Sequence, residues 1–196
     1  MSADVLSIAT HNATLWTSDL FDAKTRAEAR ELLDQGDDAL IEPFYKDLDF
    51  GTGGMRGIMG VGTNRINAYT LGLATQGLAE YAQQSVGRKD LKAAIAYDSR
   101  NNSQSFARKV AEVLSANGVH TYLFEELRPT PELSFAVREM GCDFGIVLTA
   151  SHNPKEYNGY KVYWNDGGQL VPPHDKGVIE QVRATSFEDI RWDANE

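Results

Sequence analysis

Apolar residues recur along this chain with two different periods, and the changes from one to the other mark out its elements. From Asp4 to Gln35 the spacing is helical: Leu6, Ala9, Ala13 and Trp16 share one face of a first segment, and Ala29, Leu32 and Leu33 share one face of a second. Ser18-Asp19 offers a cap between them. This predicts two N-terminal helices layered on the rest, with Asp34, Asp37 and Asp38 as a solvated face. A further helix is predicted from Ile66 to Ser85, with Leu71, Leu78, Tyr81 and Ala82 inward and Gly87 as its stop.

Ala93 to Tyr97 is short and apolar throughout, the mark of a strand covered on both sides. Phe106, Val110, Val113 and Leu114 then repeat at helical spacing between Ser103 and Gly118, Val119 to Phe124 reads as a second strand, and Leu133, Ala136, Val137 and Met140 form the stripe of another helix. That helix opens at Thr130-Pro131, a cap followed by a first-turn proline, and ends at Gly141. Phe144 to Leu148 is a third buried strand. Strand, helix, strand, helix, strand predicts an α/β fold: a three-layer α/β/α arrangement with a mainly parallel mixed sheet of about four strands, helices on both faces and right-handed crossovers. Gly159 to Trp164 alternates, with Tyr160, Val162 and Trp164 on one side and Lys161 and Tyr163 on the other, which predicts an antiparallel or edge strand. Pro172-Pro173 precedes a last helix bearing Val178, Ile179 and Val182, and the acidic end from Glu188 has little to pack. The expected division is a helical segment over 1–40, an α/β/α domain over 41–185 and a linker over 186–196.

The chain has 196 residues, 42% of them hydrophobic, enough for one domain with a real core. Its formal net charge of -9 argues against indiscriminate binding to nucleic acid or to an anionic membrane, so an anionic ligand must meet locally clustered cations. Cys142 is the one cysteine, which excludes an internal disulfide and a multi-thiolate zinc site. Without a basic, then apolar leader or a span-length apolar run, the expected location is the cytoplasm.

The candidate chemistry begins where the Phe144–Leu148 strand ends, in Thr149-Ala150-Ser151-His152-Asn153-Pro154 and on through Tyr157-Asn158-Gly159-Tyr160-Lys161. Ligands of open α/β sheets bind at the carboxyl ends of strands, and Pro154 holds the turn so that the Ser151 hydroxyl stands free. If Lys161 lies on the side of its strand opposite Tyr160, it points back towards Ser151. A second candidate is Phe50-Gly51-Thr52-Gly53-Gly54-Met55-Arg56-Gly57, whose glycines let a backbone approach an anion, while the Arg56 fork suits the acceptors of a phosphate. Each has a plainer reading: Ser, Asn and Pro are ordinary turn residues, the glycines suit a flexible hairpin, and Arg56 suits the surface. Asp98-Ser99-Arg100 is another polar turn at a strand's end, whose acid and arginine either belong to the cleft or, the reading favoured, pair to brace the turn.

The serine string resembles the active-site loop of the α-D-phosphohexomutases, the phosphoglucomutase and phosphomannomutase superfamily. The glycine-rich segment resembles that family's N-terminal loop, which usually carries Ser or Ala where Gly53 stands. The likeness runs from about Phe44 to Arg183 and corresponds to the first domain of four. It implies a mutase in which Ser151 is carried as phosphoserine, passes its phosphoryl group to glucose 1-phosphate, glucose 6-phosphate or the mannose pair, and recovers it from a hexose 1,6-bisphosphate. By the same resemblance Ser151, His152, Lys161 and Arg56 are the catalytic set, Thr52, Gly53, Gly54, Arg56, Asn153 and Lys161 contact phosphate, and an oxygen on Ser151 completes the shell of a Mg²⁺ ion whose other ligands lie in a second domain. The later metal, sugar and phosphate loops are not found here, which implies a piece of a longer enzyme or a truncated product, inactive alone and partnered by the remaining domains. Gly62-Thr63-Asn64-Arg65 and Glu126 to Leu133 look closest to the phosphoglucomutase and phosphopentomutase branch, so glucose is the expected sugar and a pentose the alternative.

Two other classes stand beside this one. A serine hydrolase with His152 as base is disfavoured, because adjacent side chains do not face one another and the Gly-x-Ser-x-Gly elbow is absent. A non-catalytic module that binds sugar phosphates is the third.

Overall fold

The computed structural model describes residues 3–192. The two apolar runs become β2 (Lys92–Tyr97) and β4 (Phe144–Leu148), buried from end to end apart from Lys92, because helices cover both faces. β3 (His120–Leu123) lies outside β2, and the β2–β3 and β2–β4 pairings are parallel. β5 (Tyr157–Trp164) returns antiparallel to β4, and β1 (Gly54–Ile58) lies antiparallel on its far side. The α/β class and the mixed sheet are as the sequence predicts, but the sheet has five strands in the order β1-β5-β4-β2-β3. The strand not foreseen is β1, taken from the glycine-rich segment, and it makes β5 an interior strand rather than an edge.

From β2 the chain passes through α5 (Ser103–Ala116) to β3, then through α6 (Thr130–Glu139) back past β2 to β4. The two helices pack on opposite faces: Val110 and Leu114 of α5 meet Ile95 and Ile146, while Leu133 and Val137 of α6 meet Ala94 and Val147. The strand order therefore reverses between β2 and β4, and a crevice opens at their carboxyl ends. α4 (Ala68–Val86) and α7 (His174–Ala184) join α5 on the first face. On the second face α6 lies over β2 and β4 and only grazes β5, so the β1–β5 half is outside its cover.

Three helices, not two, precede the sheet: α1 (Ala3–Leu15), α2 (Ala23–Gln35) and α3 (Asp37–Phe44). Ala9, Ala13 and Trp16 are fully buried as their spacing requires, but the cap of α2 is Asp22, which accepts from the Thr25 amide, and not Ser18-Asp19. Asp37 and Asp38 are exposed in the first turn of α3, where the helix dipole favours acids. Trp16 stacks on Phe21 at 4.5 Å and meets Phe44, Tyr69 and Phe187 edge-on. Phe187 comes from a 3₁₀ turn near the other end of the chain (Phe187–Asp189); Ile190 is buried, and Trp192 lies against Gly72 and the Tyr69 ring. The expectation that the acidic end has little to pack is thus corrected as far as Trp192: the charges face out and the aromatic residues between them face in. Residues 193–196 of the expected linker lie outside the described residues. No helix among the described residues is long and apolar enough to cross a membrane.

Candidate active site

Beyond β4 the chain makes a tight turn whose apex is Ser151. The Thr149 amide donates to the Gly159 carbonyl at 3.1 Å, the Ser151 amide donates to Thr149 Oγ1 at 3.0 Å, and the Asn153 amide closes the turn on the Ala150 carbonyl at 3.1 Å. Ser151 is held at φ 55, a left-handed conformation that costs a non-glycine residue on the order of 1 kcal/mol. Among the described residues Asn102 is the other non-glycine residue with positive φ, and it stands in the loop after β2, across the crevice. The side chain of Ser151 is exposed to solvent.

Lys161 reaches this apex from β5. Its neighbours Tyr160 and Val162 fill the core against α4 and α7, so strand alternation turns Lys161 to the opposite face, where α6 does not cover it. Lys161 Nζ donates to Ser151 Oγ at 2.7 Å. Burial pushes the neighbouring Tyr160 phenol well above the ordinary tyrosine range, and Thr75 shares a hydrogen bond with it. Lys161 pairs with Gly54 of β1, and Arg56 pairs with Gly159, so the register sets Arg56 and Lys161 on one sheet face. Arg56 is exposed and has no ion pair among the described residues. This close pairing requires glycine at two points: a Cβ on Gly54 (φ +139) would lie 1.9 Å from the Tyr160 carbonyl oxygen, and one on Gly159 would lie 2.6 Å from that of Thr149.

The other candidates are placed differently. His152 is exposed and makes no hydrogen bond among the described residues, and the group that meets Ser151 Oγ is Lys161. Asn153 is half-buried with its Oδ1 lacking a hydrogen-bond partner. Thr52, Gly53 and Gly54 form the turn into β1, in register with Lys161 and Val162 rather than with the serine loop. Thr52 Oγ1 donates to Asp175 at 3.3 Å, the Gly53 carbonyl accepts from Val162, and the Gly54 amide donates to Gly51.

A family model for phosphoglucomutase/phosphomannomutase, alpha/beta/alpha domain I, matches residues 47–189, which takes in the sheet, the crevice and the serine turn. The chain belongs to the phosphoglucomutase/phosphomannomutase family. It is 41% identical over 176 residues to a Schizosaccharomyces pombe protein named as a probable phosphoribomutase, covering 89% of this chain and 30% of that one. To a Staphylococcus saprophyticus phosphoglucomutase it is 37% identical over 165 residues, covering 78% of this chain and 30% of that one. A crystal structure of a Thermus thermophilus protein named for phosphomannomutase superimposes with a TM-score of 0.64 and 29% identity, over 70% of this chain and 30% of that one. The chain thus spans about 30% of the length of these relatives.

Within this phosphoglucomutase/phosphomannomutase domain, sequence reasoning undervalued Arg100. Its guanidinium crosses the crevice and donates to four carbonyls of the serine loop, at Ser151, Asn153, Pro154 and Tyr157, over 2.6 to 3.1 Å. The Asp98 carboxylate lies 3.5 Å from its Nε. Asn158, a second tie, donates to the Asn101 carbonyl at 3.1 Å and to Ser103 Oγ at 3.0 Å. The polar turn after β2 was a visible signal; its reach across more than fifty positions was not.

No group of three or more His, Cys, Asp or Glu side chains among the described residues converges as a metal site would require. The donors among the described residues therefore do not by themselves fit Mg²⁺.

Proposed function

We propose that Ser151 is the phosphoryl carrier of a sugar-phosphate mutase. The observation that carries this reading is the 2.7 Å contact between Lys161 Nζ and an exposed Ser151 Oγ at the carboxyl edge of the sheet. In the forward step the bond between phosphorus and Ser151 Oγ breaks as a free hydroxyl of the sugar monophosphate forms its own bond to phosphorus, giving a sugar bisphosphate. Transfer of the other phosphoryl group to Ser151 Oγ then releases the isomer, so the net reaction is an isomerisation that consumes no water. Phosphoserine carries about -1.5 to -2 charges near neutral pH, and phosphoryl transfer asks a protein chiefly for positioning and for cations at the transferring oxygens. Lys161 supplies one cation at contact distance, and Arg56, on the same sheet face, supplies a fork for a second set of oxygens. To His152, exposed beside the apex, this reading gives the passing of a proton to or from the reacting hydroxyl. Once phosphorylated, Ser151 would hold a Mg²⁺ ion through one phosphoryl oxygen, the ion would supply positive charge at the transferring oxygens, and its other ligands, like the groups that read the sugar, would come from outside this domain.

Glucose 1-phosphate and glucose 6-phosphate are the substrates favoured here, with a hexose 1,6-bisphosphate between them. A pentose phosphate is the second reading, favoured by the similarity to proteins named phosphoribomutase and phosphopentomutase. The deciding experiment is exposure to hexose 1,6-bisphosphate and to its pentose counterpart in the protein extended to the relatives' length, followed by intact mass and peptide mapping. One added phosphoryl group on Ser151, absent from S151A, is expected. Label on another residue, or covalent capture of Ser151 by a fluorophosphonate without any phosphoryl uptake, would exclude the mutase.

A further inference from the structure

Both peptide groups that flank the Ser151 α-carbon are anchored, and by different parts of the fold. The amide is held locally, by Thr149 Oγ1 at 3.0 Å. The carbonyl is held from across the crevice, by Arg100 Nη2 at 2.9 Å, and the same nitrogen donates to the Asn153 carbonyl at 2.6 Å. Nη1 takes the carbonyls of Pro154 at 2.9 Å and Tyr157 at 3.1 Å, while Nε faces Asp98. Asp98 is itself fixed, accepting from the Arg100 amide at 3.0 Å and from Ser103 Oγ at 2.9 Å. An arginine presents five N–H donors in one rigid plane, and here that plane faces four backbone acceptors and one carboxylate. A lysine, with three donors on one nitrogen, does not span four carbonyls. The side chain is largely buried, at 13% exposure, although it belongs to a surface loop.

A left-handed serine persists where its surroundings over-determine the backbone. Here the surroundings are Thr149 on one side and Arg100 on the other. We propose that Arg100 is the positioning residue of the phosphoryl-carrying serine: it fixes the turn in the conformation that keeps Ser151 Oγ within reach of Lys161. The proposal rests on the reading of Ser151 as that carrier, and it adds a device that couples the loop after β2 to the loop after β4.

The test uses the 196-residue chain with phosphoserine installed at position 151 during translation, so that it does not depend on catalysis. The pH titration of its phosphorus resonance is followed in the parent and in R100A, R100K and K161A, with backbone amide exchange measured over residues 149–157. In the parent, Lys161 is expected to hold the second phosphate ionisation below that of an unfolded phosphoserine peptide, and K161A removes this displacement. R100A is expected to remove most of it as well, with amides of the loop exchanging at least about tenfold faster while those of β2 and β4 do not change. Added guanidinium ion restores the parent titration to R100A, and R100K, which keeps the charge but not the fork, is displaced in the same direction as R100A. If R100A does not fold, R100K carries the decision. A folded R100A or R100K whose phosphorus titration coincides with the parent's overturns the proposal, whatever happens to its melting temperature. Failure of the mutase reading has a different signature, an unmodified Ser151 that accepts no phosphoryl group from a sugar bisphosphate.

Discussion

Lys161 Nζ lies 2.7 Å from Ser151 Oγ, although ten positions separate the two residues. The contact exists because β5 runs back antiparallel along β4, pairing Lys161 with Val147, and because the turn lifts Ser151 above the end of β4 on the face to which Lys161 points. A cation of one strand thereby serves a hydroxyl of the loop that precedes it.

Replacing Lys161 with alanine should separate chemistry from folding. Loss of a charge aimed at the transferring oxygens is expected to slow phosphoryl acceptance by Ser151 on the order of 100-fold. The side chain is half-buried but belongs to no apolar cluster, so stability should change by about 1 kcal/mol or less. A mass time course with bisphosphate and a urea melt read the two effects. A K161A variant that takes up phosphate as fast as the parent would show that this ammonium group does not serve the transfer.

Gly54→Ala probes the seam between β1 and β5. The added Cβ falls on the Tyr160 carbonyl oxygen, and the left-handed φ adds strain of its own, so a loss of at least about 2 kcal/mol is expected in a urea melt. A variant as stable as the parent would show that β1 is held by something other than this pairing.

Acid should loosen the helical layer through Asp22. Partial burial by itself raises this carboxyl, but bonds from the Thr25 amide and hydroxyl and from the Tyr69 hydroxyl outweigh it, so the folded pKa lies below that of a free aspartate. A lowered carboxylate pKa stabilises the fold above the unfolded value, about 3.9, and that stability is lost as the pH falls through the folded value. Asn at this position still caps a helix, so D22N isolates the charge. After allowance for solvent screening, the parent should exceed D22N by no more than about 1 kcal/mol at pH 7, and the two melting curves should converge as the pH falls through the folded value. A difference that does not vary with pH would assign the effect to shape alone.

On its own, the 196-residue chain is expected to convert glucose 1-phosphate at the background rate, because it spans about 30% of the relatives' length and, among its described residues, one cation, Lys161, meets Ser151 Oγ. Coupled-enzyme turnover well above background would show that this fraction of the relatives' length suffices.

The central strands and the serine turn were legible in the sequence because they are local: an apolar run of five residues dictates a buried strand, and a proline-stopped polar string after it dictates an exposed turn. The orientation of Lys161 followed from alternation with Tyr160 and Val162. β1 was hidden, since Gly54 and Gly57 have no strand propensity and their strand exists through pairing with β5. α3 was hidden by its brevity and by Pro43 inside it. Arg100 announced a brace but not its target, because nothing in a linear pattern shows that the loops after β2 and β4 will face each other; that depends on the return of the chain past β2.

The clustering of Phe187 and Trp192 with Trp16, Phe21 and Tyr69 also bears on where this molecule can be cut. Trimming it to the family-matched stretch, 47–189, would discard Trp16, Phe21 and Phe44 together with Trp192, and leave Phe187 and Tyr69 as greasy stubs in water. The boundary of the family-matched stretch is therefore not the boundary of the packed unit, and the described residues on either side of it, as far as Trp192, belong in any piece meant to stand by itself.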